Sequence, residues 1–547
     1  MTMLFMKKKY QLERFFVTWL MILFMILTDA FTAFAQVKQA TFLVNGISCD
    51  LEQGILKVEF VTPDVVRVQY TGENTFIGNG TDVCLPRAVD NPVRWVYTPN
   101  PDCYLLKSDS LIVRVDLSTA SITYLDKEGG LLLQEDQNIP RISEKRVTKQ
   151  VIYDEHSKHI EKTADGDKEI KNVLRYDTIG HTWKYRINFK WQPLEALYGW
   201  GAHMEDYMNL RGKELYLCQH NLKAMVPVLN STAGYGLLFD AGCAMMFKDN
   251  SEGSFVELEA AKQIDYYFMK GKTMDAVVAN YRLLTGNSPM MPLYLFGYIQ
   301  SKERYVSSDD LINTLKEYRQ RQIPIDMIVQ DWNYWPEGQW GNMSMNPKFY
   351  PDKRKLADEI HSLHAKLMIS IWPNAMNCPQ HEEFKRKGWL LSGTSVYDAF
   401  NPLARKLYWN YANNEFFGNG FDAWWCDASE PLDADWTFMK DGYGADNHRQ
   451  RWELNTNLLN SVLGAERSQL YSLYHAKGIY ENQRSTNEDK RVVNLTRSSY
   501  AGQQRYSTIT WNGDTYATWQ SFAQMIPAGL NFMATGLSLI HISEPTR

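Results

Sequence analysis

The chain has 547 residues, 44% of them hydrophobic and 22% charged, which excludes a disordered, collagen-like or low-complexity polypeptide and leaves room for two large domains. Its 58 Lys+Arg against 63 Asp+Glu give a formal net charge of −5, so the basic footprint of a nucleic-acid binder is missing and no nucleic-acid partner is expected. Seven cysteines with no C-x-x-C pair exclude a disulfide scaffold and give no support for a metal site, whereas 17 Trp, 31 Tyr and 24 Phe suit both a large core and stacking on sugar rings.

The N-terminus reads as an export signal. Lys7-Lys8-Lys9 and Arg14 form a basic region, Phe15 to Leu27 is apolar, and Ala33-Phe34-Ala35 offers a small-x-small cleavage site. The apolar run is shorter than the roughly 20 residues a membrane span needs. Residues 1–35 are therefore expected to be a signal peptide, and the mature chain to be periplasmic or secreted, with no membrane association after cleavage.

From 36 to 290 the pattern is of short alternating runs, such as Leu56-Lys57-Val58-Glu59-Phe60 and Leu111-Ile112-Val113-Arg114-Val115, which predicts a β-sandwich. The charged stretch from Glu144 to Lys171 is expected to be a solvated hairpin or loop within it. From about Pro292 the texture changes to strand-then-helix alternation. Strands are expected at Leu295–Gln300, Met327–Asp331, Lys366–Trp372, Phe421–Asp427, Val492–Thr496 and Thr508–Trp511, with helices near Ser308–Arg321 and Lys355–His364 and a long one near Arg449–His475. Such alternation predicts parallel pairing and a (β/α)8 barrel over 291–536, whose chemistry would sit at the C-terminal ends of the strands.

Those ends carry charged and aromatic residues: Asp331-Trp332, Trp372-Pro373-Asn374, Asp427 with Glu430 three residues on, Arg497-Ser498, and Trp511-Asn512-Gly513-Asp514. Seven tryptophans (Trp332, Trp335, Trp340, Trp372, Trp424, Trp425 and Trp511) are expected near this rim. A single Asp after a strand is often only a helix cap; several on one rim make a site. Two carboxylates facing one mouth suit glycoside hydrolysis, one as nucleophile and one as proton donor, about 5–5.5 Å apart for retention of configuration. An Arg on the rim would keep the nucleophile ionised, while partial burial and the neighbouring charge would keep the acid protonated.

The run Phe421-Asp422-Ala423-Trp424-Trp425-Cys426-Asp427-Ala428-Ser429-Glu430-Pro431 resembles the nucleophile signature of glycoside hydrolase family 31. Arg497 to Tyr506, ending at Trp511-Asn512-Gly513-Asp514, resembles that family's acid/base segment, and Tyr198-Gly199-Trp200-Gly201 with Tyr235 to Asp240 is similar to its N-terminal sandwich. The resemblance spans about residues 50 to 536. It implies Asp427 as nucleophile and Asp514 as acid/base, with Asp331 and Arg497 binding sugar hydroxyls. It also implies that Trp372, Trp425 and Trp511 wall the subsite, that Glu430 orients polar groups behind the nucleophile, and that no cofactor is needed.

Within the family, Gln330-Asp331-Trp332-Asn333-Tyr334-Trp335-Pro336 with Gln339-Trp340-Gly341, and Gln219-His220-Asn221, most resemble the α-xylosidases that act on xyloglucan fragments. Bulky side chains such as Trp332 would fill the volume of the exocyclic CH₂OH that xylose lacks. An α-glucosidase or α-transglucosylase of the same family is the alternative, and a non-catalytic sugar-binding protein on the same scaffold is a third reading. The expected partner is an oligosaccharide carrying α-linked xylose or glucose; the oligomeric state is left open. After Gly536 the chain departs from the family pattern: Leu537 to Arg547 resembles translated adapter sequence, so the barrel is expected to be incomplete beyond the start of its seventh strand.

Overall fold

The computed structural model describes residues 36–538 apart from 78–81, 87–91, 164–165, 433–447 and 516. The expected signal peptide and most of the 537–547 tail lie outside the described residues.

The N-terminal half is two antiparallel sheets packed face to face. One runs in the order Val37–Phe42, Gly46–Leu51, Ile55–Thr62, Val65–Thr71, Ile264–Lys270, Tyr235–Phe239, Ala224–Ser231, Leu197–Ala202. The other runs from Glu214–Leu217 through Met245–Asn250, Gly253–Ala261 and Val173–Lys190 to Leu131–Glu135, Ile122–Asp126, Leu111–Asp116, Cys103–Ser108 and Trp95–Pro99. Alternation explains the layers. Leu56, Val58 and Phe60 point inward between half-exposed Lys57 and Glu59, and the sheets meet where Tyr124 stacks on Phe268 with ring centroids 4.0 Å apart. The charged stretch after Glu144 is largely hairpin: Arg141–Tyr153 pairs antiparallel with Val173–Lys190, and its tip folds into a further two-stranded ladder, His159–Thr163 with Gly166–Ile170.

Helix α1 (Met274–Thr285) leads to a parallel sheet of strands β1 (Ile299–Gln300), β2 (Met327–Gln330), β3 (Lys366–Ile371), β4 (Ala423–Cys426), β5 (Asn494–Thr496) and β6 (Thr508–Thr510), in that order. Helices α2 (Ser308–Gln320), α3 (Lys353–Ser362), α4 (Pro379–Arg386), α5 (Pro402–Glu415), α6 (His448–Leu463), α7 (Tyr471–Thr486) and α8 (Trp519–Ala534) fill the connections. Ser307, Asp352 and Asn401 cap α2, α3 and α5 with side-chain hydrogen bonds, the device that starts a helix directly after a strand or loop. Both faces of the strands are buried, as parallel strands with crossovers require. Met327, Val329, Met368, Ala423, Trp425, Leu495, Ile509 and Trp511 form the interior cluster, while Ile328, Leu367, Ile369, Trp424 and Cys426 pack against the helices. Past α8, Ser538 lies beside β6, its carbonyl accepting from Thr510 N at 3.1 Å.

Two expectations are corrected. The long helix over Arg449–His475 is two helices, α6 and α7, broken at Gly464, which takes φ +85° and donates its N–H to Asn460 O at 3.1 Å, the left-handed stop typical of a helix end. The first barrel strand shrinks to Ile299–Gln300, because Pro292 starts a 3₁₀ turn over Leu293–Phe296.

Candidate active site

Asp427 follows the last residue of β4. Its N–H still bonds back to Ile371 O of β3 at 3.1 Å, and the next residue, Ala428, turns left-handed at φ +47° and donates its N–H to Asp427 Oδ1 at 2.7 Å. A non-glycine residue at positive φ is strained and is often found at functional sites. Burial pushes the Asp427 carboxyl up to about 6; Asp514 and Glu430 push the same way, and only Arg497 and the Ala428 amide oppose it. The Asp427 side chain is 15% exposed and that of Asp514 26%.

Arg497, directly after β5, is the hub. Its Nη1 lies 3.0 Å from Asp427 Oδ1 and 3.5 Å from Asp514 Oδ2. Nε and Nη2 bind both oxygens of Glu430. Burial alone would disfavour its charge, but the Glu430, Asp427 and Asp514 carboxylates raise its pKa well above the ordinary arginine value. The two legs from Nη1 limit these Asp427 and Asp514 oxygens to no more than about 6.5 Å apart. The resemblance implied hydroxyl binding for Arg497; in the structure its guanidinium is engaged with three carboxylates.

Asp514 reaches the mouth on the loop after β6. Asn221, carried by the sandwich, donates from Nδ2 to Asp514 Oδ2 at 3.0 Å and accepts the Asp514 backbone N–H on Oδ1 at 3.0 Å. Sequence reasoning quoted Asn221 within a specificity resemblance and missed it as a site residue. Nothing in its sequence neighbourhood places it beside a residue 293 positions away.

The tryptophans divide between the mouth and the core. Trp425 and Trp511 face inward, ring centroids 4.7 Å apart. Trp332 and Trp372 both pack on Trp340, at 5.5 and 5.3 Å. Buried Asp331 directly follows β2 and accepts the Trp332 backbone N–H on Oδ1 at 2.8 Å. The Trp332 and Trp340 indole N–H groups are buried and have no hydrogen-bond partner among the described residues. Trp335 is buried against Tyr334 and Trp340. Trp424 is not at the mouth: strand alternation turns it outward, where its indole donates to Gln483 Oε1 at 2.7 Å and its ring meets Trp409 edge-on. Cys426 shares that outward face, and burial, reinforced by Asp427, holds its thiol far above the usual range, which suits a packed thiol and not a nucleophile. Among the described residues no group of three or more His, Cys, Asp or Glu side chains is placed to hold a metal ion, and no helix is long and apolar enough to cross a membrane.

The model of the glycosyl hydrolases family 31 TIM-barrel domain matches residues 288–541, and that of the glycosyl hydrolase 31 N-terminal galactose mutarotase-like domain matches residues 55–247. An α-xylosidase of Saccharolobus solfataricus is 31% identical over 492 residues, covering 88% of this chain and 61% of its own length. A protein of Pseudescherichia vulneris described as an uncharacterized family 31 glucosidase is 30% identical over 376 residues, covering 65% of this chain and 67% of its own length. The chain thus spans about three fifths of the first relative and two thirds of the second. Among solved structures, a soil-metagenome α-xylosidase of the same family complexed with xylose superposes with a TM-score of 0.74 at 23% identity, over 92% of this chain and 72% of that one, a likeness of fold.

Proposed function

The chain belongs to glycoside hydrolase family 31, and from that membership we propose that it is a retaining, exo-acting α-xylosidase that removes terminal α-linked xylose from oligosaccharides without a cofactor. The observation that carries the mechanism is the single guanidinium nitrogen shared by Asp427 and Asp514. It holds their facing oxygens within about 6.5 Å, in keeping with the roughly 5–5.5 Å of retaining enzymes and at the lower edge of the roughly 6.5–9.5 Å of inverting ones. Asp427, ionised, attacks the anomeric carbon while Asp514 gives its proton to the departing glycosidic oxygen. Esterification of Asp427 removes a negative charge from the Arg497 cluster, and Asp514 then takes the proton of the water that releases the sugar. Asp331 supplies a polar partner for sugar hydroxyls, and Trp425, Trp511 and Trp372 supply apolar walls.

The sugar assignment is supported by the Trp332–Trp340–Trp372 cluster beside Asp331 and by the α-xylosidase among the relatives. The relative described as a glucosidase favours the second reading, the same chemistry on α-glucosides. The N-terminal basic and apolar pattern supports export of the protein.

Stereochemistry tests the roles. With an α-xylosyl fluoride, Asp427→Ala is expected to lose turnover, and azide should then give only the β-azide. Asp514→Ala is expected to retain the first step, with azide giving the α-azide from the covalent intermediate. Reversed products would exchange the roles, and no azide product from either variant would refute the double displacement.

A further inference from the structure

Asn221 belongs to the sandwich by sequence, following its strand Glu214–Leu217, and to the barrel mouth by position. Its two hydrogen bonds to Asp514 are reciprocal: the amide N–H donates to the carboxylate, and the amide oxygen accepts from the backbone. The surroundings are built to allow this approach. Gly513 takes φ +76°, and a Cβ there would lie 2.4 Å from Asn221 Oδ1 and 2.7 Å from Leu222 N. Leu222 itself adopts φ +80°. Gln219 ties the loop to the barrel, its Nε2 donating to Ser499 O and its Oε1 accepting from Ser498 Oγ, both at 2.8 Å. The Gln219 backbone N–H donates to Gln469 Oε1.

The contact is made to one oxygen of the Asp514 carboxyl, on the side of Arg497. Oδ2 accepts from Asn221 Nδ2 and faces Arg497 Nη1 at 3.5 Å. Resting on the reading of Asp514 as acid/base, we propose that Asn221 is a positioning residue for proton transfer: it fixes the rotation of the Asp514 carboxyl for delivery of its proton to the departing oxygen. The sandwich domain thereby takes part in the protonation step.

The test compares leaving groups. Asn221→Ala removes both hydrogen bonds. Asn221→Asp keeps the size and the acceptor for the Asp514 N–H but removes the donor. Both are assayed beside the unsubstituted enzyme and Asp514→Ala on the α-glycosyl fluoride, whose departure needs no proton, and on the corresponding α-(1→6)-linked disaccharide with glucose, whose departure does. The sugar is whichever the unsubstituted enzyme prefers. General acid catalysis is typically worth about 10²–10⁴-fold, so misalignment in either Asn221 variant is expected to cost about 30- to 100-fold in kcat/KM on the disaccharide and less than about threefold on the fluoride. A merely structural role lowers both substrates alike, and that outcome, or a loss under about threefold on both, overturns the proposal. If Asp514→Ala itself shows no such split, the assignment of Asp514 fails; if it shows the split and the Asn221 variants do not, only the positioning role fails.

Discussion

Arg497 grips both carboxylate oxygens of Glu430, Nε at 3.1 and 3.2 Å and Nη2 at 3.1 Å, with the two side chains only 3% and 2% exposed. A buried pair of this kind is costly to break from one side, by about 3–5 kcal/mol, because the surviving charge loses its partner. Glu430→Gln retains shape and one acceptor, and Arg497 keeps Asp427 and Asp514, so a loss of about 2–3 kcal/mol is expected from urea unfolding at pH 7. A loss below about 1 kcal/mol would show that Glu430 is not what neutralises Arg497.

Asp427 gives a stability signature of opposite sign. Its carboxyl is raised in the folded protein from 3.8 to about 6. Below about pH 3.8 it is protonated in both states and costs nothing. As pH rises toward 6 the unfolded chain ionises first and the fold loses stability, fully so above 6, by at most about 3 kcal/mol. Asp427→Asn does not titrate. It is therefore expected to gain on the parent between pH 4 and pH 7.5, up to that ceiling, when unfolding is measured at both. A difference that is flat with pH would contradict the burial penalty.

The same group sets the acid limb of activity. The nucleophile must be ionised, so kcat/KM is expected to fall as pH drops through about 6. The Glu430 charge helps to hold Asp427 up, so Glu430→Gln should move that limb toward lower pH. A limb that moves upward in this variant would reverse the electrostatic ordering derived from the cluster.

Trp332 tests the choice of sugar. If its ring fills the volume of a glucose CH₂OH, the unsubstituted enzyme should prefer the α-xyloside over the α-glucoside by about 10- to 200-fold in kcat/KM, the range one carbon-sized group supports. Trp332→Ala should narrow that preference, with some loss on the xyloside from lost stacking. Equal or better activity on the α-glucoside before any substitution would refute the xylosidase reading and leave the carboxylate chemistry standing.

Gly513→Ala would force a Cβ against Asn221 Oδ1 and Leu222 N and hold alanine at φ +76°. The left-handed conformation alone costs about 1–2 kcal/mol. Activity on a disaccharide should fall at least tenfold, beyond what about 2 kcal/mol of lost stability would remove at a temperature where the protein stays folded. Unchanged activity would mean that the loop tolerates displacement.

Much of the site was legible because strands alternate and end abruptly. Asp331, Trp372, Asp427 and Arg497 each stand immediately after a strand, and alternation places Trp425 inward with Asp427 above it. Applied one residue earlier, the same rule would have turned Trp424 outward; counting tryptophans by proximity in sequence hid that. The α6–α7 break needed the weight of Gly464 as a helix stop, which a continuous apolar period masks. Asn221 was beyond reach for a different reason. Its role depends on how two independently patterned domains meet, and neither periodicity nor strand-end logic carries information across 293 residues. The raised carboxyl of Asp427 was missed because burial depth is a property of the assembled barrel and not of the motif.

The contact between Asn221 and Asp514 also bears on how such chains can be recombined. A barrel grafted onto a foreign sandwich would inherit its acid/base residue without the amide that meets it, and a sandwich offering a larger residue at position 221 would push on a glycine loop that has no slack. Chimeras joined between α1 and β1 should therefore fold more often than they work. Activity should return when residues 219–222 travel with the barrel that carries Gly513 and Asp514, making that four-residue loop, and not the domain boundary, the natural unit of exchange.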